Sequence, residues 1–245
     1  MTATLNRRLF LCAAGATGLA ACTTAEQEAV FGAVLGARGV GDLTVAEAAA
    51  GIKAALDQGT GSAVSTVGRT GGYLDDATIR IPLPGRLAEL QSSLGRFGLS
   101  GLLDDLEAQI NRGAERAAPA ARQIFVSAIS AMTIDDALGI VRGGQTAATD
   151  YFRAKTTPSL VAAFTPPMEQ ALRQAGAIQT FDQLTAQLSS IPLAPQLGAD
   201  AKTSLIEHGV ERGLDGLFHY VAREEAAIRR DPAKRGSEIL RRVFG

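Results

Sequence analysis

The chain has 245 residues, of which 46% are hydrophobic, 20% charged and 5% aromatic. A chain this apolar can bury a core, which excludes a disordered ground state, and its length suits one ordinary domain or two small ones. The 24 Lys+Arg are matched by 25 Asp+Glu, so no basic field exists to hold nucleic acid, and the 27 Gly follow no three-residue period, which excludes collagen-like order.

The first 21 residues, MTATLNRRLFLCAAGATGLAA, have the layout of an export signal: Arg7 and Arg8 form a positive start, and an uncharged apolar run extends from Leu9 to Ala21. That run is shorter than the ~20 residues a spanning helix needs. The paired arginines followed by Leu9-Phe10-Leu11 resemble a twin-arginine export signal. Leu19-Ala20-Ala21-Cys22 resembles a lipobox, so Cys22 is expected to carry a diacylglycerol and to hold the mature chain in a membrane. Cys12 would leave with the signal, and a lipidated Cys22 leaves no thiol for a disulfide, a nucleophile or a metal. Removing residues 1–21 takes out Arg7 and Arg8 and no acid, leaving 22 basic against 25 acidic residues and a net charge of −3. The expected organisation is a signal over 1–21, a tether with a short helix over 22–39, and one helical domain over 40–245.

Within that domain the apolar spacing is helical. Thr44-Val45-Ala46-Glu47 reads as a capping box, followed by a face of Ala48, Ile52, Ala55 and Leu56. Gly59 and Gly61 are expected to weaken or end this helix. Thr78 to Pro84 alternates, but its prolines cannot donate to a ladder, so it reads as an extended strut inserting Ile79, Ile81 and Leu83 into the core. Ser100 is placed to cap a helix over Gly101 to Ala117, and Pro119 fits the first turn of the next, which carries Ile124, Phe125, Ala128 and Ile129. Thr133 with Asp136 starts a short helix that Gly143-Gly144 stops. Thr157-Pro158 opens another, which Pro166-Pro167 should break or kink. Helices are also expected over Thr180 to Leu188, Asp200 to Arg230 and Ser237 to Phe244, with Ile191 to Pro195 a second connector. The expected class is all-α, a single multi-helix domain with extended proline-containing connectors and room for one short strand pair.

Several segments occur together in a recognisable order: Gly71-Gly72-Tyr73-Leu74-Asp75-Asp76 leading into Ile79 to Pro84, Asn111 to Glu115, Ala147 to Phe152, Gly213 to Phe218, and Glu224-Glu225 through Asp231-Pro232 to Val243-Phe244-Gly245. In this combination the chain resembles, over about residues 40–245, the bacterial family catalogued as domain of unknown function 4197. Gly113 stands where Ala is expected in that family, and Asp231 where Asn is commoner. The resemblance implies a helical, often lipid-anchored envelope protein. It brings no catalytic residues and no cofactor.

The search for chemistry returns few candidates. No P-loop, H-E-x-x-H, G-x-S-x-G or S-x-x-K is present. His208, Glu211, Asp215 and His219 share one face of the last long helix at spacings that metal sites and surface ion pairs both use. The histidines themselves lie ~16 Å apart along the axis, so an ordinary surface row is the default. Gly209, Gly213 and Gly216 make a small-residue track beside Leu217 and Phe218, suited to a neighbouring helix or to an apolar ligand. Asn111, Arg112 and Glu115 form the most distinctive polar cluster, with a buried Arg–Glu pair as its default reading. The acid doublets Asp75-Asp76, Asp104-Asp105, Asp135-Asp136 and Glu224-Glu225 point about 100° apart on a helix and make poor two-carboxylate sites. The expectation is a non-enzymatic lipoprotein without cofactor, held by Cys22 at the periplasmic side of the envelope, at the outer membrane. It would bind a partner protein or an apolar ligand, with a hydrolase built on carboxylates around Asn111 to Glu115 as the alternative.

Overall fold

The structure is a computed structural model that describes residues 45–174 and 201–230, with single positions at 179, 183 and 186. The signal, the tether, Thr44, the connector Ile191 to Pro195, and the expected helices over Thr180 to Leu188 and Ser237 to Phe244 lie outside the described stretches. The described residues form helices α1 (Val45–Val67), α2 (Gly85–Gly95), α3 (Gly101–Ala117), α4 (Ala121–Ala131), α5 (Ile134–Arg142), α6 (Ala147–Gln174) and α7 (Ala201–Arg230). A 3-10 turn, Ala118–Ala120, carries Pro119 and joins α3 to α4. The fold is all-α, and no strand pair forms among the described residues. No single helix among them is long and apolar enough to cross a membrane.

Three local expectations are corrected. First, α1 runs through Gly59 and Gly61 to Val67, because both glycines are contact points: a Cβ on Gly59 would lie 3.2 Å from Ile228, and one on Gly61 3.5 Å from the Arg122 guanidinium. Packing outweighs the helix-propensity cost of glycine. Second, α6 is one helix with Pro158, Pro166 and Pro167 inside it. Thr157 and Thr165, just before two of these prolines, donate their hydroxyls to the carbonyls of Arg153 and Val161, while Leu160, Phe164 and Met168 stay fully buried. The buried stripe holds the helix together where proline removes its own bonds. Third, Ser100 makes no capping bond to α3 and gives its hydroxyl to Asp104. The Thr133–Asp136 capping box on α5 is present in full.

Helix directions follow from the facing pairs. On α7, Gly209 meets Ile110 and Gly213 meets Ala114, so α3 and α7 run parallel. Gly59 meets Ile228 while Ser62 bonds Glu224, so α1 runs antiparallel to α7. Met168 meets Gly209 and Phe164 meets Gly213, so α6 is antiparallel to it as well. The core between them contains Phe125 packed edge-on to Phe152 and Phe218, with ring centroids 5.3 and 6.2 Å away.

Candidate functional site

The polar cluster on α3 is a clamp on the extended strut. Asn111, fully buried, accepts from the Ile81 amide at 2.8 Å and donates back to the Ile81 carbonyl at 2.8 Å, pairing with that residue as a neighbouring strand would. One turn before it, Glu107 takes the Arg80 guanidinium at 2.6 Å. One turn after it, Glu115 accepts the amides of Tyr73 and Leu74 at 3.1 and 3.2 Å. Residues 107, 111 and 115 share one helix face by their four-residue spacing; Asn111 and Glu115 satisfy backbone groups that would otherwise be buried without partners, and Glu107 holds the Arg80 side chain. Ile79, Ile81 and Leu83 are driven into the core as a result. Arg112 does not belong to the cluster: it points to the exposed side of α3, so the expected buried Arg–Glu pair is not formed. The signal that would have found Glu107 in its place is the same i, i+4, i+8 spacing.

The strut also explains the glycine track. The Tyr73 hydroxyl donates to the Gly213 carbonyl at 2.6 Å, and its ring lies where a Cβ on Gly216 would come within 2.6 Å. Burial, and then the charge of Glu115, push the Tyr73 hydroxyl well above its ordinary pKa, so it stays protonated as a donor. Gly209 faces Ile110 and Met168, Gly213 faces Ala114, and Leu217 and Phe218 are buried beside them. The chain itself therefore fills this face. Gly71, at φ +76° in the turn before Tyr73, has Asp75 where its Cβ would stand. Only glycine fits there without strain.

The acid and histidine candidates separate. His208 Nε2 lies 2.9 Å from the Pro82 carbonyl. Asp215 pairs with Arg153 at 3.1 Å and more loosely with Arg212, while Glu211 and His219 are exposed. Among the described residues no three His, Cys, Asp or Glu side chains converge on a point where an ion could sit. Of the doublets, Asp76 accepts from Tyr220 and from the Thr78 amide, which holds its carboxyl below the usual range. Asp104 accepts from Ser100 and Gln91, and Asp136 closes the α5 cap. Glu225 receives the amides of Ala148 and Thr149 at 2.9 Å, capping the start of α6 from a distant helix, and pairs with Arg229 at 2.8 Å. Glu224 takes the Ser62 hydroxyl. Each of these bonds serves the scaffold.

What remains open is a groove of about 570 Å³ between α6 and α7. Its floor is apolar, built from Val161, Ile206, Val210, Leu214 and Phe218, with Val161 41% exposed. Its rim is charged: Arg153 at one end, and Glu169, Glu207, Glu211 and Asp215 along the sides. Glu169 and Asp215 are engaged by arginines, whereas Glu207 and Glu211, one turn apart, have no ion pair among the described residues. Of these residues Val161, Leu214 and Phe218 are expected from the sequence as apolar helix faces and Glu211 and Asp215 as a surface row, but nothing in the sequence brings them together. A more polar pocket of about 490 Å³ lies between α4 and α6, beside Tyr151 and Lys155.

The family model for DUF4197, a protein of unknown function, matches residues 42–245. The chain belongs to this family. The match spans the strut, its clamp and the groove together, so all three belong to the part of the chain that this DUF4197 protein shares with its family. No curated protein and no solved structure matches the chain.

Proposed function

We propose that this DUF4197 protein is a lipid-anchored envelope protein whose α6–α7 groove holds an amphipathic, basic helical segment of a partner protein. The observation that carries the reading is an apolar floor running beside two carboxylates one helical turn apart, Glu207 and Glu211, that have no ion pair among the described residues. A helix laid in such a groove buries its i, i+3, i+4 side chains on the floor and places Lys or Arg against the rim. A bare acyl chain would leave the two carboxylates without counterparts, which favours a polypeptide over a lipid. The binding reading is favoured over a hydrolase around Asn111 to Glu115 because Asn111 and Glu115 already bond backbone groups of Ile81, Tyr73 and Leu74.

The anchor rests on the Leu19-Ala20-Ala21-Cys22 pattern and the export route on Arg7-Arg8. A photo-crosslinker at Ile206, in cells, tests the groove. The expected adduct is a peptide with helical apolar spacing and flanking Lys or Arg, lost when Glu207 and Glu211 are both changed to Lys. Adducts of lipid alone, or adducts unchanged by the double substitution, count against the reading. The mass of the Cys22 peptide tests the anchor separately, and replacement of Arg7 and Arg8 by Lys should leave precursor in the cytoplasm.

A further inference from the structure

The turn between α2 and α3 exposes three large apolar side chains within six residues: Phe97 is 78% exposed, Leu99 67% and Leu102 45%. Its form suits a low-dielectric surface. Three amides of the turn are satisfied internally, Phe97 and Leu99 bonding to the Leu94 carbonyl at 3.0 Å and Gly98 to that of Gly95 at 3.1 Å. Between Leu94 and Leu103 the only charge is Arg96, and the first acid beyond, Asp104, is tied back by Ser100 and Gln91. Apolar side chains aimed outward from a turn whose amides at Phe97, Gly98 and Leu99 are already bonded suit shallow insertion at a bilayer interface, where the remaining polar groups still meet water.

The position of this turn in the bundle matters as much as its composition. Because α3 runs parallel to α7, the turn lies at the end where α7 begins. Because α1 runs antiparallel to α7, Val45, where the tether enters, lies at the other end. The 30 residues of α7 span ~45 Å, and the 22 residues between Cys22 and Val45 reach up to ~75 Å when extended. The tether is therefore long enough to let either end of the domain meet the bilayer that holds Cys22.

We propose that Phe97, Leu99 and Leu102 form a second membrane contact, which docks this end of the helical domain on the bilayer that holds Cys22. This rests on the lipid-anchored reading above. Insertion is driven by apolar burial, so it needs no anionic lipid, in keeping with the net charge of −3 expected for the mature chain.

The chain contains no tryptophan, so Leu99→Trp supplies a single reporter at an already exposed position. The full mature protein carrying it is reconstituted into phosphatidylcholine vesicles with and without brominated acyl chains. The expected result is a blue-shifted emission that the brominated lipid quenches, and loss of both effects when Phe97 and Leu102 are also changed to Asp, although the chain stays vesicle-bound. Solvent-like, unquenched emission in vesicles overturns the proposal. A blue shift that grows with protein concentration in the absence of lipid also overturns it, in favour of contact between copies. If the Cys22 peptide proves unmodified, the anchor reading falls by itself, and vesicles added to the same protein still decide whether the turn inserts.

Discussion

The seam between α3 and the strut and the groove between α6 and α7 are built from the same materials, acids and aliphatic side chains on long helices, and they use them in opposite ways. In the seam, Glu107, Asn111 and Glu115 direct their polar atoms onto the strut and the turn that precedes it, and the aliphatics Ile79, Ile81 and Leu83 are buried behind them. In the groove, Glu207 and Glu211 have no ion pair among the described residues, and Val161 is left open to solvent. Satisfied polar groups with buried apolar ones describe scaffold; unsatisfied charges beside open apolar surface describe a place where something docks.

The contrast breaks most visibly at Asn111. Asn111→Leu leaves the Ile81 amide and carbonyl buried without partners and should cost about 2–4 kcal/mol, read as a fall in the denaturant midpoint. A cost below about 1 kcal/mol would mean that the strut is held by apolar insertion alone and that the seam is not the element that fixes it.

The strut was legible over Arg80 to Pro84, because alternation and proline together admit few other structures, whereas Thr78 and Ile79, expected to be extended, belong to a turn closed by the amides of Ile79 and Arg80 on the Asp76 carbonyl. Its clamp was legible only in part. Asn111 and Glu115 stand out in the sequence as polar residues among apolar ones, but adjacency puts Arg112 with them, whereas the helix turns it about 100° away from Asn111 toward solvent. The glycines in α1 and the prolines in α6 misled for a common reason. Local propensity sets a cost of one to a few kcal/mol, and contacts with residues far along the chain, such as Gly59 with Ile228, decide whether that cost is met. The groove was illegible because it is made by two helices whose antiparallel packing no single segment encodes.

The glycine track gives the next largest effect. Gly216→Ala places a Cβ 2.6 Å from the Tyr73 ring, which cannot swing away while its hydroxyl is bound to Gly213. A net loss of about 1–2 kcal/mol is expected, despite the ~1 kcal/mol that alanine gains in a helix. Gly139 in α5 is the control: nothing lies within 4 Å of its Cβ position, so Gly139→Ala should stabilise by about 0.5–1 kcal/mol. If both substitutions stabilise, the track on α7 is looser than the seam it supports.

Acid should act on the surface carboxylates. Hydrogen bonding from Arg122 lowers the pKa of Asp57, and hydrogen bonding from Tyr220 lowers that of Asp76. A depressed folded pKa gives stability that is fully present above the unfolded value, about 4, and is lost as pH falls through the lower folded value. Denaturant midpoints should therefore stay level from pH 7 to about 5 and drop below about 4. Asp76→Asn should flatten part of that slope. Both pairs are partly open to solvent, which screens them, so each contributes only a few tenths of a kcal/mol. A fall already under way at pH 6 would point to another group.

The smallest expected change in stability is in the groove, and it bears most directly on function. Glu207 and Glu211 stand one turn apart, with Asp215 one turn further, so their mutual repulsion works against the helix that carries them. Asp215 has its arginines, and the other two have no counter-charge among the described residues. Changing both to Gln should therefore leave the denaturant midpoint unmoved, within about 0.5 kcal/mol, or raise it slightly. The same double change should remove the Ile206 crosslink, because the partner's basic side chains lose their counterparts. Crosslinking by the unsubstituted chain should weaken as salt is raised, since rim charges act across a screened distance. A double variant that is clearly destabilised would show that these acids serve the scaffold after all, as those of the seam do. A variant that is stable and still crosslinks would leave the apolar floor as the whole of the recognition.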